Sequence, residues 1–175
     1  MNYKDRYNQV VLVDKHNNSC GICEKMTAHI EGYLHRAVSV LIVNDQNQML
    51  LHQRSSDKYH CPELWTNACC THPFENEATI DSAHRRLKEE MGITTELKHL
   101  FDFVYRAKFE NGLIEHEYDS VYLGIYNEDP IINPKEAMDY KWIDIDTLKK
   151  DIKINSSKYT KWFQIIVNDY LGEIL

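Results

Sequence analysis

The sequence predicts an α+β fold, an α/β sandwich in which helices flank a mixed β-sheet. Three observations predict it: β-branched runs fill the first half, two long strands flank an Asn-Gly turn in the second half, and a segment of helical periodicity lies between them. We find no repeat and no linker rich in Pro, Gly or Ser. The sequence therefore favours a single domain over residues 1–175.

The strands of the first half are short apolar runs separated by turn residues. We predict strands at residues 9–14, 36–43 and 48–54, because each run is apolar and the first two are rich in β-branched side chains. Residues 44–47 read Asn-Asp-Gln-Asn, which is typical of a turn. The second and third strands are therefore expected to form a hairpin.

An amphipathic helix is predicted over residues 79–91. Its apolar positions recur at helical spacing, and Gly92 follows where a C-terminal cap belongs. Two long antiparallel strands, 97–109 and 113–126, should follow, because Asn111-Gly112 between them is a strong hairpin signal.

Three shorter elements complete the chain. We predict a strand at 140–143 and a brief helix that Asp144 caps and that runs through residue 150. Ser156 or Ser157 is expected to cap a final helix that ends at about residue 171.

Composition narrows the class of protein. At 175 residues and 43% hydrophobic content, the chain can bury a core without disulfides, and its odd count of five cysteines favours free thiols in a reducing, cytoplasmic setting. No apolar run is long enough to cross a membrane, so we expect no membrane partner. The net charge of −7 argues against a nucleic-acid partner. We expect a monomer or a weak homodimer.

Glu115 and Glu117 are the most informative residues. Residues two apart in a strand share a face and lie about 7 Å apart, and Asp119 and then apolar residues continue that face. Carboxylates that point toward a core favour a cation. The alternative is a solvated acidic rim at a strand end.

Cys70 and His72 follow the same parity, which places a thiol and an imidazole on one face while Cys69 points away. Bulky and turn-forming residues bracket the segment, as expected of a pocket wall. The bracketing residues are Pro62, Trp65, Asn67 and Pro73. The alternative for Cys70 is an inert small hydrophobe.

His29 and His35 precede a strand. Together with His72 and the two glutamates they could give one divalent ion five ligands and leave a sixth position for water or substrate. Zinc, manganese and magnesium all remain open, since imidazoles favour a transition metal and oxygens suit manganese or magnesium.

The predicted helix carries a second acidic element at Glu89 and Glu90, one turn after Arg85 and Arg86. Ion pairing along the helix explains much of this pattern. Glu90 borders the apolar stripe, however, and could hold Mg²⁺ against a diphosphate.

Residues 71–93 resemble a Nudix box, G-x5-E-x7-R-E-U-x-E-E-x-G-U, where U is a bulky apolar residue. Two positions depart: Thr71 replaces the first glycine, and Arg86 stands where Nudix hydrolases carry a metal-binding glutamate. The matching residues are Glu77, Arg85, Leu87, Glu89, Glu90, Gly92 and Ile93.

Three further segments, WTNACCTHP, FVYRAKFENGLIEHE and MDYKWID, resemble the type I isopentenyl diphosphate isomerases of the Nudix superfamily. The resemblance runs from about Val10 to the C-terminal helix. It implies interconversion of isopentenyl and dimethylallyl diphosphate through protonation, a tertiary carbocation and deprotonation.

The resemblance also implies residue roles. Cys70 and Glu117 would be the catalytic pair, assisted by Tyr105, with Glu117 delivering a proton and the Cys70 thiolate removing one. Glu90 would help to hold Mg²⁺ with the diphosphate, and Trp162 would lie over the isoprenoid carbons. The implied metal ligands are His29, His35, His72, Glu115 and Glu117, and the implied diphosphate-binding residues are Lys25, Arg54, Lys58 and Arg86.

Two alternatives stay open. A Nudix hydrolase that cuts a diphosphate is one, although Arg86 disfavours it, because a guanidinium binds phosphate where a carboxylate would bind metal. The other is a catalytically silent zinc-binding module that uses the histidines and the Cys20-Gly-Ile-Cys23 pair.

Overall fold

The computed structural model describes residues 6–58 and 60–174, and the side chains of residues 6–58 and 60–172. Nine strands are present in this part of the chain: β1 Gln9–Val13, β2 Ser19–Glu24, β3 His35–Val43, β4 Gln48–Arg54, β5 Trp65–Thr66, β6 Cys69–Thr71, β7 Leu97–Lys108, β8 Ile114–Ile125 and β9 Ala137–Asp144. The helices are α1 Lys25–Glu31, α2 Thr79–Met91, α3 Ile145–Ile154, α4 Lys161–Ile165 and α5 Leu171–Ile174, with a 3-10 turn at Ser156–Lys158 and a π-helical turn at Ile166–Tyr170.

Strand β3 is the centre of the sheet. One edge pairs in parallel with β8 from His35 opposite Glu117 to Val43 opposite Ile125. The other edge is shared in turn by β1, β6 and β4, all antiparallel. The remaining strands extend these neighbours outward. The predicted mixed sheet is therefore confirmed.

Helices cover both faces of this sheet. Successive side chains of a strand point to opposite faces, so β3 contributes to two separate cores. Val38, Val40 and Ile42 pack with α2, whereas Leu41 and Val43 pack with α3 and the C-terminal helices. This layering confirms the predicted α/β sandwich.

The long hairpin and the amphipathic helix are confirmed closely. Strands β7 and β8 pair along almost their whole length, and Gly112 in the turn has φ of 84°. Helix α2 spans the predicted 79–91, and Gly92 closes it in the left-handed conformation.

The first hairpin is only partly as predicted. Asn44 forms the turn by accepting hydrogen bonds from the backbone N–H groups of Gln46 and Gln48. Only Val43 and Met49 pair across it. The strands then separate, because β6 takes the next part of the β3 edge while β4 pairs with β5 and β9.

Strand β2, helix α1 and the short strands β5 and β6 were not predicted. The chain turns from β2 to α1 at Glu24, whose carboxylate accepts from the backbone N–H of Thr27 and caps the helix. Gly32 ends α1 with φ of 69°. The two histidines expected merely to precede a strand therefore lie on different elements, His29 in the last turn of α1 and His35 at the start of β3.

The last strand and the helix after it are longer than predicted, and the final helix begins later. Asp144 caps α3 as expected, but β9 starts at Ala137 and α3 runs to Ile154. Neither Ser156 nor Ser157 begins the final helix. Thr160 occupies that position because it is extended and donates its backbone N–H to Trp65 in β5.

All five cysteines are free thiols, as the sequence predicted. Across residues 6–58 and 60–174, no helix combines the length and the apolar character needed to cross a bilayer.

Gly92 gives a test of this packing. A Cβ atom at Gly92 would lie 2.9 Å from the carbonyl oxygen of Ile131, whereas one at Gly112 would meet nothing within 4 Å. Both residues have positive φ, so Gly112→Ala should lower the free energy of unfolding by about 1–2 kcal/mol. Gly92→Ala should lower it by about 2–4 kcal/mol, because overpacking adds to the backbone strain. Urea unfolding of both variants measures the difference, and equal losses would contradict the close contact.

Candidate metal centre and adjoining pocket

Five side chains that carry metal-ligand atoms converge at one end of β3 and β8. Each offers one nitrogen or oxygen, and these atoms all lie within 4.8 Å of one another. The five are the residues predicted as ligands: His29, His35, His72, Glu115 and Glu117.

The topology explains why residues so far apart in sequence meet here. The parallel register of β3 and β8 sets His35 opposite Glu117. Strand β6 pairs with β3 and ends at Thr71, which delivers His72 to the same place. Helix α1 brings His29 to within 3.3 Å of Glu115.

Two of the imidazoles have a defined orientation. Nδ1 of His29 lies 2.7 Å from the carbonyl oxygen of Lys25, and Nδ1 of His35 lies 2.8 Å from that of Tyr33. A carbonyl oxygen only accepts, so each Nδ1 carries a proton and donates it. Nε2 of each ring then faces the carboxylates, an arrangement typical of histidines that bind metals.

Buried polar atoms in this centre are short of hydrogen bonds. Nε2 of His35 and Oε2 of Glu115 are buried, and neither has a hydrogen-bond partner among the described residues. Nε2 of His35 and Oε1 of Glu117 lie 3.6 Å apart. A buried acceptor without a donor is costly. A divalent cation among these atoms would remove that cost.

The charges suit such an ion. Burial opposes ionisation of Glu115 and Glu117, but hydrogen bonds from the surrounding histidines hold the pKa of each carboxyl below its usual value. Burial lowers the pKa of His72 to about 4. The centre therefore presents anionic carboxylates and a neutral imidazole, the forms that bind metals.

Tyr105 lies directly behind the centre. It pairs with Glu117 across β7 and β8, and its hydroxyl donates to Oε2 of Glu117 at 2.7 Å. Burial and the charge of Glu117 raise the pKa of Tyr105 well above its usual value. The hydroxyl therefore remains a donor that holds Glu117.

A pocket opens beside the centre, and most of the predicted site residues line it. Its lining includes Cys70, His72, Glu115, Glu117 and Trp162, together with the cations Lys25, Arg54, Lys58 and Arg86, which we call the cationic wall. The remaining predicted residues lie behind this lining: His29, His35, Tyr105 and Glu90.

Cys70 points into this pocket as a protonated thiol. Burial, with a smaller effect from the charge of Asp119, raises its pKa to about 12. Its sulfur donates to Oδ1 of Asn67 at 3.1 Å and lies 3.5 Å from the hydroxyl of Ser39. Ser39 in turn donates to Asp119 at 2.7 Å. Cys69 is buried against α2 on the other face of the sheet, as its parity predicted.

Asn67 connects the thiol to Trp162. Its Oδ1 accepts from Cys70, from the hydroxyl of Thr66 at 2.9 Å and from the indole N–H of Trp162 at 3.3 Å. Its amide group donates to two backbone carbonyls. The sequence marked Asn67 only as a residue that brackets the Cys70 segment. Its network depends on residues up to 95 positions away in sequence.

The cationic wall is crowded with positive charge. Burial and the nearby charges of Lys58 and Arg86 lower the pKa of Lys25. Glu136 lies between two of these cations, in an ion pair with Lys58 and 3.2 Å from Arg86. A pocket wall with this excess of cations suits an anion that bears several charges.

Glu90 faces this wall rather than the five-residue centre. It is 3% exposed and accepts from Arg86 at 2.6 Å. Burial raises its pKa, and the guanidinium of Arg86 opposes that shift.

Several residues of the pocket region were not predicted, among them Arg6, Glu136 and His60. Glu136 lies in the segment before β9, and His60 lies between β4 and β5 with Nε2 2.8 Å from Oε1 of Glu115. No sequence spacing connects either residue to the other members of the site. Cys20 and Cys23 lie three apart on β2 and do not belong to the five-residue centre.

Comparisons with known proteins agree with this geometry. The NUDIX domain family matches residues 33–163. The chain is 47% identical over 154 residues to "Isopentenyl-diphosphate Delta-isomerase 2" of Aromatoleum aromaticum, a match that covers 88% of this chain and 82% of the relative. It is 45% identical over 157 residues to "Isopentenyl-diphosphate Delta-isomerase" of Pectobacterium atrosepticum, with 90% and 88% covered.

A solved structure shows the same fold at lower sequence identity. DR0079 from Deinococcus radiodurans superimposes with a TM-score of 0.76 at 18% identity, and 93% of this chain and 99% of that one are covered. Identity at that level supports the fold alone, while the curated relatives support the narrower grouping that the sequence motifs predicted. The chain belongs to the NUDIX domain family and, within it, to the isopentenyl-diphosphate Delta-isomerases.

Proposed function

We propose that this protein is a metal-dependent isomerase that moves the double bond of isopentenyl diphosphate to give dimethylallyl diphosphate. One observation carries the proposal: Cys70 and Glu117 line the same pocket as five cationic side chains, four of which the family resemblance assigns to the diphosphate. A substrate whose diphosphate lies on the cationic wall would bring its hydrocarbon end to these two groups. The names of the curated relatives support the same reaction.

The diphosphate would bind through Lys25, Arg54, Lys58 and Arg86. The guanidinium of Arg86 is suited to this role because its planar fork can donate two hydrogen bonds to phosphate oxygens. Glu90 would contribute to a Mg²⁺ ion that accompanies the diphosphate, since this ion typically combines few protein ligands with substrate phosphates.

The reaction adds one proton to the substrate and removes another. An acid adds a proton to C4, the positive charge develops at C3, and a base removes a proton from C2, so the carbon skeleton and the diphosphate stay intact. We assign these steps to Glu117 and Cys70, with Glu117 as the donor and the Cys70 thiolate as the acceptor.

The pKa shifts of Cys70 and Glu117 favour the protonation states that follow one forward turnover. Transfer in the forward direction leaves Glu117 ionised and Cys70 as a thiol. These are the forms that the lowered pKa of Glu117 and the raised pKa of Cys70 favour. The reverse reaction can begin from this state, whereas a new forward turnover requires the proton to return from sulfur to carboxylate.

Other residues would position the reacting groups. Tyr105 would hold Glu117 through its hydroxyl hydrogen bond. Trp162 would present its ring to the carbocation, an interaction worth about 2 kcal/mol where water is excluded. A divalent ion bound by the five-residue centre would supply positive charge that keeps Glu117 oriented and acidic.

We propose manganese, zinc or magnesium for the five-residue centre, since it combines imidazole and carboxylate ligands. We also propose a small-molecule prenyl diphosphate as substrate, a cytoplasmic location, a single domain over residues 1–175 and a monomer or weak homodimer.

Turnover is the direct test. Purified protein incubated with isopentenyl diphosphate and Mg²⁺ in D₂O should give dimethylallyl diphosphate that carries deuterium, with the diphosphate intact, as followed by ¹H and ³¹P NMR. Cys70→Ala should abolish this conversion, while Cys20→Ala, a change at an exposed thiol on β2, should not alter it. Release of phosphate or pyrophosphate would instead support a Nudix hydrolase.

Arg86 gives a test of diphosphate binding. Arg86→Lys keeps the charge but loses the planar fork, so we expect KM for isopentenyl diphosphate to rise about 10- to 100-fold, as for loss of a charged hydrogen bond of about 1.5–3 kcal/mol, with a smaller change in kcat. Arg36→Lys is the matched control, because Arg36 binds Asn17 and does not line the pocket. KM is measured from initial rates at varied concentrations of isopentenyl diphosphate. A wild-type KM in the Arg86→Lys variant would contradict the assignment.

The metal centre can be tested without substrate. Protein treated with a chelator should lose its tightly bound ion, and adding the ion back at about 100 times Kd should stabilise the fold by about 2.7 kcal/mol, measured by thermal unfolding. His72→Ala should lower the metal content found by elemental analysis. A Cys20→Ala, Cys23→Ala double variant should retain it, and metal loss in that variant would favour the zinc-binding module instead.

A further inference from the structure

His60 is a histidine of the pocket that the mechanism does not use. It lies in the irregular segment between β4 and β5 and is 9% exposed. Its ring centre is 5.9 Å from that of Trp162 and 6.1 Å from that of Phe109. Its Nε2 lies 2.8 Å from Oε1 of Glu115, a hydrogen-bond distance.

His60 contacts the metal centre without belonging to it. The ligand atoms that lie within 4.8 Å of one another come from the other three histidines and the two glutamates. The two oxygens of Glu115 have different surroundings. Oε1 lies 2.8 Å from Nε2 of His60 and 3.3 Å from Nε2 of His29, whereas Oε2 is buried without a hydrogen-bond partner among the described residues. The carboxylate is therefore held at one oxygen while the other is left for a cation.

The backbone of the His60 segment is itself anchored. Arg54 donates from Nη2 to the carbonyl oxygen of His60 and from Nε to that of Cys61, both at 3.1 Å. The Arg54 guanidinium also lies 5.3 Å from the ring centre of Trp162. These contacts fix an imidazole that no regular element supports.

We propose that His60 is a positioning residue of the metal centre, which holds Glu115 by donating its Nε2–H to Oε1 and so strengthens binding of the divalent ion. Loss of an outer hydrogen bond of this kind typically weakens metal affinity 10- to 100-fold. The proposal rests on the metal centre of the proposed function and does not depend on the isomerase reaction.

Two variants separate the hydrogen bond from the packing of the ring. His60→Phe keeps a ring of similar size against Trp162 and Phe109 but cannot donate to Glu115. His60→Gln loses the ring but keeps a side-chain N–H donor. His99→Ala is the control, because His99 is largely exposed and contacts Asp102 away from the centre.

The measurement is the Kd for Mn²⁺ and for Zn²⁺ of the full chain, stripped by chelator and titrated against a competing metal indicator. We expect His60→Phe to weaken both affinities 10- to 100-fold, His60→Gln to stay within a few-fold of wild type, and His99→Ala to match wild type. Circular dichroism and thermal unfolding without added metal establish that each variant is folded.

The outcomes are distinct. Wild-type affinity in a folded His60→Phe protein would overturn the proposal, and so would equal weakening in the Phe and Gln variants, which would assign the effect to ring packing. If His60→Phe does not fold, His60→Leu, which also lacks a donor, takes its place. If wild-type protein binds the ions but does not isomerise isopentenyl diphosphate, the proposed function fails while the role of His60 is still decided by the affinities.

Discussion

The parallel pairing of β3 with β8 is the constraint on which the site depends. It sets His35 opposite Glu117 and continues in register to Val43 opposite Ile125, among buried apolar side chains. A slip of one residue would turn Glu117 away from the centre and exchange the apolar side chains of β8 between the two cores, where they would no longer fit. The burial that stabilises the sheet therefore also fixes the geometry of the metal centre.

The same pairing buries three carboxyl groups close together, and the surrounding side chains offset part of the cost of burying them. Glu115, Glu117 and Asp119 are buried in one row on β8, and burial of several carboxylates is costly unless each is paired. Oδ2 of Asp119 accepts from Ser39, whereas Oδ1 is buried without a hydrogen-bond partner among the described residues, and burial with the charge of Glu117 raises the pKa of Asp119 well above its usual value. The two glutamates remain ionised among the histidines. A divalent ion would therefore stabilise the fold as well as serve the reaction.

Sequence reasoning succeeded where the pattern is local. Strand parity alone placed Glu115 and Glu117 together and separated Cys70 from Cys69. This succeeds because successive side chains of a regular strand point to opposite faces of the sheet. Helical periodicity predicted both ends of α2 correctly, because the spacing of its apolar residues is also a local pattern. The ligand chemistry of imidazoles and carboxylates suggested that the distant histidines join the glutamates, and the family resemblance implied the same set, although no spacing in the sequence connects them.

The features that were missed are those that tertiary contacts decide. Strand β2 is largely exposed and has no alternating apolar pattern, and α1 has only seven residues, so neither shows a period. The break before α4 exists because Thr160 bonds to β5. His60 reaches Glu115 across 55 positions in sequence, and Glu136 reaches Lys58 across 78. Such contacts follow from the path of the chain, which local patterns do not encode.

The network around Arg86 shows how one substitution within the Nudix box can change the chemistry of the fold. Where the box of the hydrolases carries a metal-binding glutamate, Arg86 here lies between Glu89, Glu90 and Glu136 and neutralises part of their charge. An arrangement of carboxylates alone would favour metal ions and activation of water against phosphorus. A guanidinium at that position instead binds phosphate oxygens and leaves fewer carboxylates for metal. In the function proposed above, the diphosphate binds Arg86 and its neighbouring cations, and Cys70 and Glu117, which line the same pocket, act on carbon rather than phosphorus.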